Sequence, residues 1–335
     1  MSSFETELRK LLGEAYFAHL DESFDEEYQG RFSDDGGKKV KPFLDELVET
    51  ASSYAYLSIG GADGSEVAYV LEETDIKNGF LLEYSTSGCK RARERAQSLE
   101  KKGKSLEVFE GDASQKLDEV LKALHKLRKN GQITGLACSF QSILHELPSR
   151  SVNHDGQFDM GLYLAEVFRD WDNLLFISRE PCECSAEDWP ETVQIRIRDE
   201  NEGFLHENTL YEVASYVNAH LSLGGKPAKA ANGYVQMSRK LAVECLFKLL
   251  YFDGAQGLHY EMGEQLTSLD PPVLRDVLNH CLGNGSAEFT RTNSERFKTL
   301  YDARVDAATR SGQKLPRPQV FAIYRARRNG NLPGK

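Results

Sequence analysis

A glycine-rich turn between a predicted strand and a predicted helix is the segment whose residues are best suited to chemistry. The sequence YLSIGGADGSEVAYVL at 56–71 runs from apolar residues into Gly60, Gly61, Ala62 and Gly64, and then into a helical pattern. Glycines allow a tight turn and a close approach of backbone to a ligand, and a helix N-terminus offers free N–H groups. The turn therefore predicts a nucleotide-like ligand, although a tight turn without a ligand would show the same residues.

The spacing of the small residues distinguishes two classes of cofactor. The dinucleotide fingerprint requires the order G-x-G-x-x-G, which this chain matches poorly with Gly60, Ala62 and Ser65. The order G-x-G-x-G is matched better, by Gly60, Ala62 and Gly64. The segment LSIGGADG resembles the first motif of the class I, S-adenosylmethionine-dependent methyltransferases. It departs from that motif at Ala62, where glycine is preferred, and at Ser58, where an acidic residue is usual.

The resemblance continues at the ends of the next two predicted strands. It implies that Glu83, at the end of GFLLEYS and followed by Tyr84, binds the ribose of the cofactor, since a carboxylate can accept two hydrogen bonds from a cis-diol. It implies that Asp112, in LEVFEGDAS, accepts a hydrogen bond from the adenine amino group while the backbone of Ala113 meets the ring. Glu83 could instead be an exposed strand-end residue, and Asp112 could simply cap the following helix.

The fourth predicted strand carries the residues nearest to the transferred methyl group. The segment ITGLACSFQSILHELP resembles the corresponding part of small-molecule methyltransferases, which implies that Ser139, Phe140 and Gln141 border the methionine part of the cofactor. His145 and Glu146 would then face the acceptor. His145 is the leading candidate for a general base because the ordinary pKa of histidine is near physiological pH. A histidine that packs a helix remains the alternative.

Further candidates for acceptor contacts follow from position alone. Arg179 and Glu180 lie at the end of the fifth predicted strand, where open α/β sheets place their ligands. Tyr234 and Tyr260 lie beside glycines in predicted loops. Each charged residue could equally be a surface charge, and most aromatic residues after 185 are expected to pack their own core.

The predicted elements alternate between apolar runs and helical patterns from residue 55 to about 180. The runs AYLSI, GFLLEY, SLEVFEG, ITGLACSF and NLLFISRE are predicted strands, and helical stretches such as KLDEVLKALHKLRK separate them. This alternation is typical of an α/β fold with a doubly wound, mostly parallel sheet, and the resemblance implies seven strands. The carboxyl ends of the strands then gather along one edge.

Four domains are predicted along the chain. They are an N-terminal helical lid (1–54), a cofactor-binding Rossmann-like core (55–184), a helical, substrate-capping insertion (185–268) and a C-terminal completion of the core (269–335). In the last of these, SERFKTLYDARVDAAT is predicted as a helix and QVFAIYRAR as a strand. The pattern does not indicate the oligomeric state.

The composition indicates where in the cell the chain is expected and which kinds of partner it disfavours. Its 335 residues carry a formal net charge of −11, which disfavours nucleic acid as a partner because phosphate backbones are gripped by basic surfaces. No apolar stretch approaches the roughly 20 residues that span a bilayer, and the N-terminus lacks the pattern of a secretory signal. With its scattered cysteines, the chain is expected to be cytoplasmic, without a membrane partner. Cys182 and Cys184 could bind a metal with His206, but we expect packing thiols and no metal site.

The resemblance predicts an enzyme that transfers a methyl group from S-adenosylmethionine to a small molecule, by in-line displacement in a capped pocket. Such a reaction needs donor and acceptor held in line and water excluded, and no catalytic triad. Two alternatives stay open. One is a methyltransferase for protein or RNA, and the other is a catalytically degenerate cofactor-binding or scaffold protein, which Ser58 and Ala62 favour.

Overall fold

A computed structural model gives the fold, and it describes residues 36–50, 53–141, 143–144, 160–199, 203–204, 207–251, 266–267, 270–283 and 286–328. The chain divides into two compact units. Of the described residues, the sheet unit comprises those within 36–180, 271–290 and 323–328, and the accessory unit comprises those within 181–270 and 291–322. Residues 1–35 of the predicted N-terminal lid lie outside the described residues. No described helix is both long enough and apolar enough to cross a membrane.

The sheet unit alternates strands and helices. Its helices are α1 (Gly36–Val40), α2 (Leu44–Thr50), α3 (Ser65–Glu73), α4 (Thr86–Glu100), α5 (Ala113–Lys129), α6 (Met160–Phe168) and α9 (Pro271–Leu282), with a 3₁₀ turn at Lys41–Phe43. Its sheet contains β1 (Tyr54–Ile59), β2 (Asn78–Glu83), β3 (Ser105–Glu110), β4 (Gly135–Gln141), β5 (Asn173–Pro181), β10 (Ser286–Thr292) and β12 (Phe321–Arg328). The strand order is β10-β12-β5-β4-β1-β2-β3.

Parallel pairing confirms the predicted fold class. β1 pairs with both β2 and β4, β2 pairs with β3, and β4 pairs with β5, all of them parallel. Every residue of β4 and five of the six residues of β1 are buried, as expected for central strands that are covered on both faces and are therefore apolar almost throughout. The structure is thus an α/β protein with a mostly parallel, seven-stranded sheet.

The end of β12 fixes two helices of the sheet unit. The guanidinium group of Arg328 donates hydrogen bonds to the carbonyl oxygens of Phe168 (2.9 Å), Trp171 (2.9 Å), Cys281 (2.8 Å) and Leu282 (2.7 Å). These carbonyls lie at the carboxyl ends of α6 and α9, where backbone oxygens have no partner within the helix. One side chain therefore satisfies the ends of both helices.

The accessory unit has a core and a sheet of its own. Its strands are β6 (Thr192–Asp199), β7 (Gly203–Phe204), β8 (Ala228–Lys229), β9 (Val235–Ser238) and β11 (Val305–Ala308), and its helices are α7 (Glu207–Leu221), α8 (Arg239–Leu246) and α10 (Glu295–Arg304), with a π-helix at Phe247–Tyr251. Four of the strands follow the order β11-β6-β9-β8, and β7 pairs with β6. The predicted helical insertion therefore also contains a sheet.

Two details differ from the sequence-based expectation. Residues 291–322 belong to the accessory unit, whereas the predicted boundary placed them with the core. The reason is β11, whose residues Val305–Ala308 pair antiparallel with β6. The helix predicted to include VDAA ends at Arg304, and VDAA forms β11 instead.

The C-x-C pair lies in the accessory unit. Cys182 and Cys184 are both buried, and Cys182 Sγ lies 3.4 Å from the guanidinium Nη1 of Arg291. Burial raises the pKa of Cys182 to about 12. Among the described residues no group of cysteine, histidine and acidic side chains is arranged to hold a metal ion, and His206 lies outside them.

Candidate cofactor site

The glycine turn between β1 and α3 is held in a left-handed backbone conformation. Gly60, Ala62 and Gly64 have φ values of 71°, 49° and 73°. A Cβ atom on Gly60 would lie 2.7 Å from Cγ1 of Ile143, and a Cβ atom on Gly61 would lie 2.4 Å from Oγ of Ser58. Both glycines are therefore required by close packing, and at Gly60 the φ value requires glycine as well.

Glu83 connects the end of β2 to this turn. Its carboxylate Oε2 accepts a hydrogen bond from the backbone N–H of Ala62 (2.8 Å), and Oε1 accepts one from the backbone N–H of Ser85 (2.8 Å). The side chain is 7% exposed. Glu83 therefore faces the glycine turn and fixes the position of Ala62.

Asp63 is a part of the turn that the sequence analysis missed. Its Oδ1 accepts a hydrogen bond from Ser65 N (3.1 Å), and its Oδ2 pairs with Arg95 Nη2 on α4 (2.6 Å). Arg95 Nε also donates to the backbone oxygen of Asp63 (3.1 Å). Burial raises the pKa of Asp63, but the hydrogen bonds from Ser65 and Arg95 outweigh it and hold the pKa below its usual value. The sequence does contain a signal for this role, because an aspartate just before a helix often accepts a hydrogen bond from the first backbone N–H groups of that helix.

Replacing Asp63 with alanine is expected to lower the free energy of unfolding by about 1–2 kcal/mol, because the partly buried backbone N–H of Ser65 and the guanidinium of Arg95 lose their acceptor. The deficit should shrink as pH falls below about 3.9, since a carboxylate with a lowered pKa loses its stabilising effect on protonation. Urea unfolding at pH 7 and pH 3 measures both effects. Glu72→Ala is the matched control, because its ion pair with Lys102 is exposed and should contribute little. Equal free energies of unfolding for Asp63→Ala and Glu72→Ala would contradict the expectation.

Glu180, at the end of β5, holds the loop that follows β4. Its Oε1 accepts hydrogen bonds from Ile143 N (3.1 Å), Leu144 N (3.2 Å) and Ser178 Oγ (3.1 Å), and the side chain is fully buried. Ile143 is also the residue whose side chain lies against Gly60. We expected Glu180 to be either an acceptor contact or a surface charge. The structure places it as a buried anchor for the loop beside the glycine turn.

The other predicted cofactor residues lie at the same edge of the sheet. Asp112 directly precedes α5, and its backbone oxygen accepts hydrogen bonds from the N–H groups of Gln115 and Lys116. Ala113 begins the helix, and its backbone oxygen accepts a hydrogen bond from Tyr163 (3.3 Å). Tyr84 is 68% exposed beside Glu83.

Ser139 and Phe140 are fully buried in β4. The ring of Phe140 packs against Phe176 and Tyr163, with centroid distances of 5.5 and 6.4 Å. Side chains alternate between the faces of a strand, so Ser139 points to the opposite face. Phe140 therefore has a core side chain, and only its backbone is free to border a ligand.

The predicted acceptor contacts are divided among three places. Arg179 lies in β5 of the sheet unit. Tyr234 lies in the accessory unit, where its ring is 4.8 Å from the guanidinium of Arg196 and its pKa is raised by burial and by Asp306. His145, Glu146 and Tyr260 lie outside the described residues.

Comparisons with known proteins give no family assignment. Neither a protein-family profile nor a curated protein sequence matches the chain. Among solved structures, an O-methyltransferase family protein from Burkholderia thailandensis is similar over 98% of this chain and 69% of its own, with 12% identity and a TM-score of 0.44. The plantazolicin methyltransferase BamL, in complex with a triazolic desmethylPZN analog and SAH, is similar over 97% of this chain and 97% of its own, with 10% identity and a TM-score of 0.44. At these values the likeness assigns neither an activity nor a ligand to this chain.

Proposed function

We propose that the chain is a methyltransferase that takes its methyl group from S-adenosylmethionine and passes it to a small molecule. The observation that carries the proposal is the bond between Glu83 and Ala62, which joins the end of β2 to the G-x-A-x-G turn after β1. It brings a carboxylate suited to a ribose next to a turn suited to the close approach of a ligand.

The order of the strands supports this location. From β1 the chain continues to β2 and β3 on one side, whereas β4 and β5 lie on the other side of β1. Open α/β sheets bind ligands outside the carboxyl ends of their strands at such a reversal of strand order. Glu83 is the last residue of β2, and the glycine turn and Asp112 follow the carboxyl ends of β1 and β3 at this edge.

The residues present fit the proposed cofactor. The turn has the left-handed glycines of a close-approach loop, and the carboxylate of Glu83, which lies against the turn, is a group suited to ribose hydroxyls. Asp112 and Ala113, at the end of β3, would hold the adenine. When bound, S-adenosylmethionine supplies a methyl group already activated by a sulfonium, so the protein has to position the acceptor and exclude water.

The nature of the acceptor follows from charge. A net charge of −11 opposes an RNA acceptor, for which a basic surface would be needed. A small molecule is therefore the favoured class, with His145 and Glu146 as the candidates for proton transfer, and with Arg179, Tyr234 and Tyr260 as candidates for binding the acceptor. All six cysteines are thiols, which suits the reducing cytoplasm that we propose as the location.

Isothermal titration tests the cofactor directly. We expect the chain to bind S-adenosylhomocysteine with a dissociation constant in the micromolar range. We expect no measurable binding of NAD, because Ser65 occupies the place of the third glycine that the dinucleotide fingerprint requires. No binding at millimolar S-adenosylhomocysteine would overturn the proposal. Binding without methyl transfer to any acceptor in a panel of small molecules, protein and RNA would favour the degenerate cofactor-binding protein, to which the strained Ala62 points.

A further inference from the structure

The glycine turn contains one residue whose backbone conformation does not suit its type. The N–H of Gly64 donates to the carbonyl oxygen of Gly61 (3.0 Å), so Ala62 and Asp63 are the central residues of a four-residue turn. Ala62 has a φ of 49°, whereas the φ of Asp63 is not positive. A turn with a positive φ at its first central residue normally has glycine there, because a Cβ atom is unfavourable in that conformation. Other contacts must therefore offset the cost of this conformation at Ala62.

Two side chains bind the Ala62–Asp63 dipeptide at its opposite ends. At one end, Glu83 Oε2 accepts a hydrogen bond from the N–H of Ala62 (2.8 Å). At the other end, Arg95 Nε donates to the carbonyl oxygen of Asp63 (3.1 Å), and Arg95 Nη2 donates to Oδ2 of the same residue (2.6 Å). The rotatable backbone bonds of both residues lie between these contacts. The contacts together therefore restrict the backbone conformation of Ala62.

Helix α4 brings Arg95 to the turn by means of small residues. Gly88, Ala92 and Arg95 are spaced as i, i+4 and i+7, so they share one face of α4. A Cβ atom on Gly88 would lie 2.9 Å from the carbonyl oxygen of Ala62. A Cβ atom on Gly64 would lie 3.0 Å from Cβ of Ala92. The helix therefore lies directly against the turn, at a distance that larger side chains on this face would not allow.

We propose that Arg95 is a positioning residue of the cofactor site, which acts through Asp63 to keep Ala62 in the left-handed conformation that glycine would adopt unaided. The inference rests on the proposed function. A guanidinium presents its donors in a rigid planar fork, so two bonds to one residue fix both the carboxylate and the carbonyl group of Asp63. An ion pair that only added stability would not need the second bond. In this way α4 compensates for the departure from the glycine motif at Ala62.

The first test is a double-mutant cycle on the full chain, with binding of S-adenosylhomocysteine measured by titration calorimetry. We expect Arg95→Ala to bind this ligand about 5- to 30-fold more weakly, the factor by which an unsupported alanine disfavours the left-handed conformation. In the Ala62→Gly background the same change should weaken binding by less than about twofold, because glycine adopts the conformation without support. Equal losses in the two backgrounds, or no loss in either, would overturn the inference.

Lys102→Ala is the matched control for this cycle. It removes the same charge just beyond the end of α4, from an exposed ion pair with Glu72. Because exposed pairs contribute little, we expect it to leave the affinity for S-adenosylhomocysteine within about twofold of the parent in both backgrounds. A loss as large as that of Arg95→Ala would show that net charge, and not the conformation of the turn, determines the affinity.

Amide hydrogen exchange tests the same coupling without a cofactor. The bond from the N–H of Gly64 to Gly61 closes the turn around Ala62, so the protection of this amide reports the turn conformation. We expect Arg95→Ala to lower its protection by at least about fivefold and the added change Ala62→Gly to restore it, while the β1 amides keep theirs. Protection that is unchanged in Arg95→Ala, or that Ala62→Gly does not restore, would contradict the positioning role.

The two proposals fail in different ways. If the parent protein binds neither S-adenosylhomocysteine nor S-adenosylmethionine, the proposed function fails, and the assignment of Arg95 to a cofactor site fails with it. The exchange measurement then still decides whether Arg95 holds the turn. If the parent binds S-adenosylhomocysteine but Arg95→Ala has the same effect with alanine and with glycine at position 62, only this inference fails.

Discussion

Replacing Glu83 with alanine is expected to abolish detectable binding of S-adenosylhomocysteine and to lower the free energy of unfolding by about 2–4 kcal/mol. The carboxylate is the acceptor for the backbone N–H groups of Ala62 and Ser85, and each N–H left unpaired costs about 1–3 kcal/mol. Without the hydrogen bond from Ala62 N–H to Glu83, the glycine turn that we propose as the cofactor-binding loop is also no longer held in place. Urea unfolding and titration calorimetry measure the two effects.

Two further variants make this test specific. Glu83→Gln keeps one acceptor oxygen and should lose about half of the stability that the alanine variant loses, because only one of the two N–H groups keeps its partner. Glu107→Ala, at an exposed position of the neighbouring strand β3, should stay within about 0.5 kcal/mol of the parent. An alanine variant at Glu83 that unfolds like the parent would show that the two hydrogen bonds are unimportant.

Glu180→Ala is the second change with a large expected effect. The fully buried carboxylate accepts hydrogen bonds from Ile143 N, Leu144 N and Ser178 Oγ, and alanine leaves all three donors without it. We expect the free energy of unfolding to fall by about 3 kcal/mol or more. We also expect weaker binding of S-adenosylhomocysteine, since Ile143 would lose its position against Gly60.

Amide hydrogen exchange separates a local from a global effect of this change. The amides of Ile143 and Leu144 should lose protection in Glu180→Ala under conditions in which the β1 and β2 amides keep theirs. Glu166→Ala on α6 is the control, because its pairing with Arg169 is exposed and 3.6 Å long. Unchanged protection at Ile143 and Leu144 would contradict the anchoring role of Glu180.

Much of the fold could be predicted from local patterns. β1, β2, β4 and β5 are short apolar runs separated by helical stretches, and burial on both faces of the sheet leaves that pattern in the sequence. β11 could not be predicted in this way. Its four residues follow a helix without a break, and only pairing with β6 makes them a strand.

The sequence suggests positions for the proposed site, but it does not indicate the contacts that those residues make. The spacing from the glycine turn identifies Glu83, but backbone donors have no signature in the sequence, so its bonds to Ala62 and Ser85 could not be foreseen. Glu180 resembles any charged residue at a strand end, and only the fold shows that it is buried. Asp63 and Arg95 are 32 residues apart, and α4 must pack beside the turn before they can pair.

The position of β12 between β5 and β10 has a consequence for synthesis. When β5 leaves the ribosome, its outer edge has no neighbour until Phe321 and the residues after it have been translated. At about 5–20 residues per second, that edge stays unpaired for roughly 7–30 seconds, and open strand edges attract other chains. We therefore expect nascent chains arrested before Phe321 to recruit chaperones more strongly than the full chain, which ribosome-bound intermediates of graded length would reveal.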